Sequence, residues 1–207
     1  MHTMSVLAIG AHPDDIEFGC AGTLVKYARQ GHRVFLLVMT EGDQGGEGRV
    51  RKTEQMDAGG LIGAQDVFWG GYADTSIPLG KEPIERIEAV IKAVRPDFIL
   101  CHHLDDTHQD HRHLTSATIS ATRYVRNVLF YEGPTTQNFS PQVFVNITDT
   151  LEQKIKVLGA HRSQVMKTNI QDLSIVEIAK STATFRGIQG RVKHAEAFSA
   201  LRLFINI

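Results

Sequence analysis

Cysteine is nearly absent: Cys20 and Cys101 are the only two in 207 residues. That excludes a disulfide framework, and the two lie too far apart for a CxxC ligand pair, so each reads as a buried thiol behaving as a small hydrophobe. Long hydrophobic runs are missing as well. None approaches the roughly 20 apolar residues that a membrane-crossing helix requires, and the residues before SVLAIG hold no basic region, apolar stretch and cleavage site of a secretory leader. No membrane partner is expected, and the expected location is the cytoplasm. Neither sign of charge is in excess: 22 Lys and Arg against 23 Asp and Glu leave a formal charge of −1. Without a basic field to release counterions, nucleic acid is excluded as a partner. No run of like charges marks a tail or a membrane-surface helix.

Histidine is what the chain does have. Ten are present, five of them between His102 and His113. Hydrophobic residues at 42% and charged residues at 22% otherwise match a soluble globular chain. The length suits one buried core, so residues 1–207 are expected to form a single domain.

Apolar β-branched runs alternate with helical patterns, which predicts a parallel sheet covered on both faces. Strands are expected at SVLAIG, RVFLLVMT, QDVFWG, DFILCHH, NVLFYE and QVFVNIT. Helices are expected from Glu17 to Gln30, about Arg51 to Leu61, Pro83 to before Pro96, about Arg112 to Val125, Asp149 to about Leu158 and Ile170 to about Phe185. Glycine and charge dominate EGDQGGEGR, so a mobile loop is expected there. The fold class that follows is α/β, a Rossmann-like, doubly wound, mostly parallel sheet with helices on both faces. Ligands of such sheets sit beyond the carboxyl ends of the strands where strand order reverses, commonly between the first strand and the fourth.

Those two strands run into AHPDD and HHLDDTHQDH. Adjacent strands are only about 4.8 Å apart, so His12, Asp14 and Asp15 are placed opposite His108, Asp110 and His111. Taken alone, the aspartates read as readily as helix caps that meet the positive end of the macrodipole. A lone histidine at a strand end is more often a surface residue than a ligand. Two such clusters at corresponding strand ends favour a shared cation instead. Histidine nitrogen and carboxylate oxygen suit zinc, and a catalytic zinc takes three protein ligands and leaves a position for water. His102 and His103 read as structural residues that end the fourth strand.

At these residues the chain resembles the zinc-dependent N-deacetylases of the LmbE and PIG-L type, which act on N-acetylglucosamine-containing substrates. AHPDDIEFGCAGTL matches the family's first motif and HQDH its second, usually HPDH; TEGDQGG, RKTE, DTSI, HRSQ and HAEAF match along the rest of the chain. The resemblance implies Zn2+, or another divalent metal such as Fe2+, held by His12, Asp15 and His111, with Asp14 as general base. It implies that His108 stabilises the oxyanion or assists leaving-group protonation, with Asp110 fixing its orientation. Arg51 and Asp74 match positions that contact sugar hydroxyls. Gln109 stands where the family has proline, and His194 where many relatives have a tyrosine that reaches the oxyanion. A histidine in that role would make its contribution depend on pH near neutrality. The implied activity is removal of an N-acetyl group from a small amino sugar or glycoconjugate, by a homo-oligomer that is a trimer or hexamer.

Two other readings stay open. Two histidines and a carboxylate also form the non-haem iron triad of oxygenases, which oxygen-independent acetate release would exclude. A non-catalytic nucleotide- or sugar-binding module shares the architecture, although GxGxxG is missing after the first strand and two aspartates there would repel a pyrophosphate unless a metal intervened.

Overall fold

The apolar runs form strands in a computed structural model that describes residues 3–205. Along the chain come β1 (Ser5–Gly10), α1 (Asp15–Arg29), β2 (Arg33–Thr40), α2 (Gly48–Ile62), β3 (Asp66–Tyr72), α3 (Lys81–Val94) and β4 (Phe98–His102). There follow α4 (Gln109–Ala121), β5 (Asn127–Tyr131), β6 (Val143–Asn146), α5 (Leu151–Gly159), α6 (Ile175–Gly190) and β7 (Ala195–Arg202). The sheet order is β3-β2-β1-β4-β5-β7-β6. The five strands from β3 to β5 pair in parallel, and β7 enters antiparallel between β5 and β6. Strand order therefore reverses between β1 and β4, where the βα alternation leads one to look for a ligand.

Because successive side chains of a strand point to opposite faces, β1 feeds two cores. Val6 and Ala8 pack with Leu24, Leu36, Ala58 and Val157 beneath α1, α2 and α5. Leu7 and Ile9 pack with Leu37, Ile87, Ile99 and Leu114 beneath α3 and α4. Both cysteines are buried, and burial pushes both thiols up, Cys101 to about 11. No described helix is long and apolar enough to cross a membrane.

Several elements differ from the sequence expectation. β7 lies where no strand is expected, because AEAFSALR is poor in β-branched residues and is held by two neighbours rather than by its own propensity. α4 starts at Gln109 rather than near Arg112, since His108 caps it: its Nδ1 accepts from the Asp110 N–H at 3.2 Å. α6 starts at Ile175 rather than Ile170, behind a capping box made by Ser174 and Glu177. The glycine-rich loop after β2 is tied at three points. Arg51 donates to Gly42 O, Asp74 accepts from the Gln44 N–H, and Gln164 and Lys167 donate to Gly45 O.

α1 crosses the sheet in close contact with Tyr131 of β5. A Cβ at Gly19 would lie 2.2 Å from Tyr131 Cδ2. The ring is fully buried, and its hydroxyl donates to Ile9 O at 2.8 Å, so it has nowhere to go. Gly19→Ala is expected to destabilise the fold by about 1–3 kcal/mol through overpacking, measured as a lower midpoint of urea unfolding. An unchanged midpoint would mean that α1 is free to slide on β5.

Candidate active site

The loops leaving β1 and β4 meet at the reversal of strand order. Thr40 pins the first of them, its N–H and hydroxyl both donating to Ala11 O at 3.0 Å. Arg51, 5% exposed, donates to Pro13 O at 2.7 Å and Gly42 O at 2.6 Å, joining AHPDD to the glycine loop. So held, Asp14 takes a φ of 96°, left-handed backbone that costs a non-glycine residue about 1–3 kcal/mol. Its side chain makes no cap hydrogen bond, which disposes of capping as the reason for Asp14. Instead its Oδ2 lies 3.4 Å from Arg51 Nη2. Asp15 Oδ2 accepts from the His12 N–H at 2.7 Å.

The two histidines of the expected ligand set each turn one nitrogen to Asp15. His12 Nδ1 lies 3.3 Å from Asp15 Oδ2, and His111 Nε2 lies 3.4 Å from Asp15 Oδ1. His12 turns its other nitrogen, Nε2, to Asp74 Oδ1 at 3.0 Å and Asp110 Oδ2 at 3.2 Å. Among the described residues, three trios bring possible ligand atoms within 4.8 Å of one another: His12, His108 and His111; Asp15, His102 and His111; His12, Asp74 and Asp110. The expected trio of His12, Asp15 and His111 is spread across these groups rather than being one of them.

Charge explains what the cluster wants. Burial would raise Asp15, Asp74, Asp106 and Asp110, yet the facing histidines hold all four below the usual carboxylate range, Asp74 at about 2. Burial would lower His12 and His111, yet the carboxylates raise His12 well above its ordinary value and His111 to about 9. Four carboxylates, three of them buried, thus stabilise two protonated imidazoles, and a divalent cation held by these groups would replace those two protons. The donor set therefore fits a metal such as zinc. Because both pKa values are raised, protons occupy the ligand nitrogens at low pH and leave as pH rises. Zinc affinity is expected to tighten about ten- to a hundredfold per pH unit between pH 6 and 8, read by chelator competition; a flat profile would contradict this proton–metal exchange.

Other expected residues fall differently. Asp110 does not orient His108 through its carboxylate. That group faces His12 Nε2 and accepts the Thr75 and Ile77 N–H groups at 2.8 and 3.2 Å, and only the Asp110 backbone N–H touches His108. Thr75 takes a φ of 65° to present its N–H, a rare conformation for a β-branched residue. Nor is His108 held cationic: burial, His12 and His111 all lower its pKa. With Nδ1 accepting, neutral His108 carries its proton on Nε2. Burial raises Asp14 to about 6, with Asp15 adding to the rise and Arg51 opposing it.

Arg51 and Asp74, expected at sugar hydroxyls, are 5% and 6% exposed and bonded within the protein. His194 is not brought to the cluster. The carbonyl of His194 accepts from Ile147 N–H, and the Ile147 side chain packs on Gly22, about two turns along α1 from Asp14. Charges that act on His194 are Lys193 and Lys180, and burial with these lowers its pKa.

Two neighbours were not singled out from the sequence as site residues. Asp106, in the same LDDTHQDH segment, lies 3.2 Å from His111 Nδ1. His102 stacks on His111 with ring centroids 3.9 Å apart, and its Nε2 accepts from the Ala11 N–H at 3.2 Å while lying 3.2 Å from Asp15. With that lone pair engaged and burial holding its pKa at about 4, His102 remains the support that ends β4. His103 stays outside, edge-on to Phe139. The HRSQ segment buttresses the same side: Ser163 donates twice to Glu54 of α2, and His161 lies 3.4 Å from Glu17.

A family model described as PIG-L, GlcNAc-PI de-N-acetylase, matches residues 7–122. Uncharacterized deacetylase YaiS of Escherichia coli is 35% identical over 167 residues, covering 76% of this chain and 90% of that protein. Diacetylchitobiose deacetylase of Thermococcus kodakarensis is 28% identical over 193 residues, covering 77% of this chain and 69% of its own length. Among solved structures, conserved protein TT1542 of Thermus thermophilus superposes with a TM-score of 0.86 at 23% identity, covering 99% and 98% of the two chains. GalB, the 4-carboxy-2-hydroxymuconate hydratase of Pseudomonas putida, does so with 0.82 at 21%, covering 99% and 100%. These two likenesses establish the α/β fold with its mixed, mostly parallel sheet, and one neighbour adds water rather than hydrolysing an amide.

Proposed function

The chain belongs to the PIG-L/LmbE-like deacetylase family, and from that premise we propose that it hydrolyses the N-acetyl group of an N-acetylglucosamine-type sugar or conjugate at a zinc site formed by His12, Asp15 and His111. The observation that carries this reading is the pair of ligand imidazoles, those of His12 and His111, turned to Asp15 beside Asp14, a second, half-buried acid that caps nothing. Zinc bound there would lower the pKa of its water from about 15.7 to about 7 and polarise the acetyl carbonyl. Fe2+ suits the same donors.

The chain's own groups divide the remaining work. Asp14, raised to about 6, is poised to take the water proton and pass it to the departing nitrogen. Arg51 holds Asp14 through Pro13 O and a weak ion pair, so Arg51 acts on the base rather than on the sugar. His108 offers a neutral Nε2–H to the developing oxyanion, and a preorganised donor of that kind lowers the barrier by about 3–4 kcal/mol. Asp74 and Asp110 hold His12.

The test is a panel of N-acetylated amino sugars that includes N-acetylglucosamine and N,N'-diacetylchitobiose, the latter the substrate in the name of the Thermococcus relative. We expect acetate and free amine in equal amounts, without need for oxygen and abolished by a chelator. Zinc-loaded protein that releases no acetate from any of them, or that instead hydrates an unsaturated diacid, overturns the proposal.

A further inference from the structure

Each of the two proposed ligand histidines, His12 and His111, has its second nitrogen against a different carboxylate. For His12 the carboxylates are Asp74 and Asp110; for His111 the carboxylate is Asp106, with Oδ1 3.2 Å from Nδ1. Asp106 is 3% exposed and lies in the loop between β4 and α4. Three donors anchor it. The His108 N–H and the Thr135 hydroxyl reach Oδ1 at 2.8 and 2.7 Å, and the Thr136 hydroxyl reaches Oδ2 at 3.0 Å. A carboxylate fixed from both oxygens cannot turn to follow an imidazole, so the imidazole is set by the carboxylate.

We propose that Asp106 is the positioning residue of the metal centre, holding the His111 proton on Nδ1 and thereby presenting the Nε2 lone pair to the ion. This rests on the metal site proposed above. A ligand imidazole must be neutral with its lone pair toward the metal, and the partner of the other nitrogen selects that tautomer and makes the ligand more basic. The assignment also gives the loop after β5 a purpose. Thr135 and Thr136 are joined to the β4–α4 loop through Asp106 and the isolated bridge between Asp106 and Thr136, so the loop braces a ligand.

The experiment compares zinc affinity of the wild type, Asp106→Asn and Asp105→Asn by competition with a chromophoric chelator, with Tm of each metal-free protein recorded alongside. Asp105 is the exposed neighbour, bonded to Asn138. The expected result is a loss of about 10–100-fold in affinity for Asp106→Asn and none for Asp105→Asn. A purely structural Asp106 would lower Tm and leave affinity unchanged, which overturns the proposal. Wild type that binds no zinc overturns the metal reading and this proposal with it, whereas tight binding by both wild type and Asp106→Asn overturns this one alone. Should Asp106→Asn fail to fold, ¹⁵N-histidine spectra of zinc-loaded wild type decide. A proton on His111 Nδ1 supports the assignment, and a proton on Nε2 overturns it.

Discussion

Asp14→Asn is expected to keep its zinc and lose about 10²–10⁴ in turnover, the range a positioned acid–base group contributes. Asparagine fits the site sterically and is among the few residues at ease in left-handed backbone, so the φ of 96° need not change. The variant also removes a half-buried charge next to Asp15. Asp14 has a folded pKa of about 6, above its ordinary value of 3.8, so its ionisation costs stability as pH rises through that interval and fully above it. Metal-free Asp14→Asn should therefore melt no lower than wild type at pH 7. His111→Ala behaves in the opposite way: it removes a nitrogen that faces Asp15 and should lose metal and activity together. Metal analysis beside acetate release separates the two variants, and equal metal loss in both would show that the adjacent acids have been assigned the wrong way round.

How much of this was legible in the sequence depended on whether a signal was local. The apolar strands and the reversal between β1 and β4 could be read from hydrophobic runs and alternation, because burial on both faces leaves a continuous apolar stretch. β7 could not, since Phe198 and Leu201 are its only bulky apolar residues, neither β-branched, and its place is set by the neighbours it pairs with. The same limit applies in the site. HPDD and HQDH announce themselves by spacing, but which carboxylate meets which imidazole depends on how distant loops land. Asp110 is two residues from His108 in sequence yet serves His12, because the Thr75 turn closes over it. Arg51 looks like an exposed helix charge until the Gly42 and Pro13 carbonyls are seen to take its guanidinium. His194 follows a family motif but is carried away from the cluster by the pairing of β7 with β6 over α1.

Lys154→Ala is expected to cost about 3–5 kcal/mol, the usual result of stripping one partner from a buried ion pair. At roughly 2–4 °C per kcal/mol for a chain of this size, Tm should fall by about 6–20 °C. Lys154 and Glu196 are 2% and 4% exposed, and they act on the middle of α1. In a regular helix the Gly22 N–H donates to Phe18 O. Here Phe18 O accepts from Lys154, and the Gly22 and Thr23 N–H groups donate to Glu196 at 2.8 and 2.7 Å. The ion pair is thus set against the helix's hydrogen-bond ladder, and losing the ammonium leaves a buried carboxylate with no countercharge, held by the two α1 N–H groups alone, and takes a donor from Phe18 O. A Lys154→Met, Glu196→Gln double variant removes both charges and keeps one amide oxygen for the α1 N–H groups, so it should recover more than half of the loss. Equal destabilisation in the single and double variants would mean that packing around Phe18, rather than charge pairing, secures the helix.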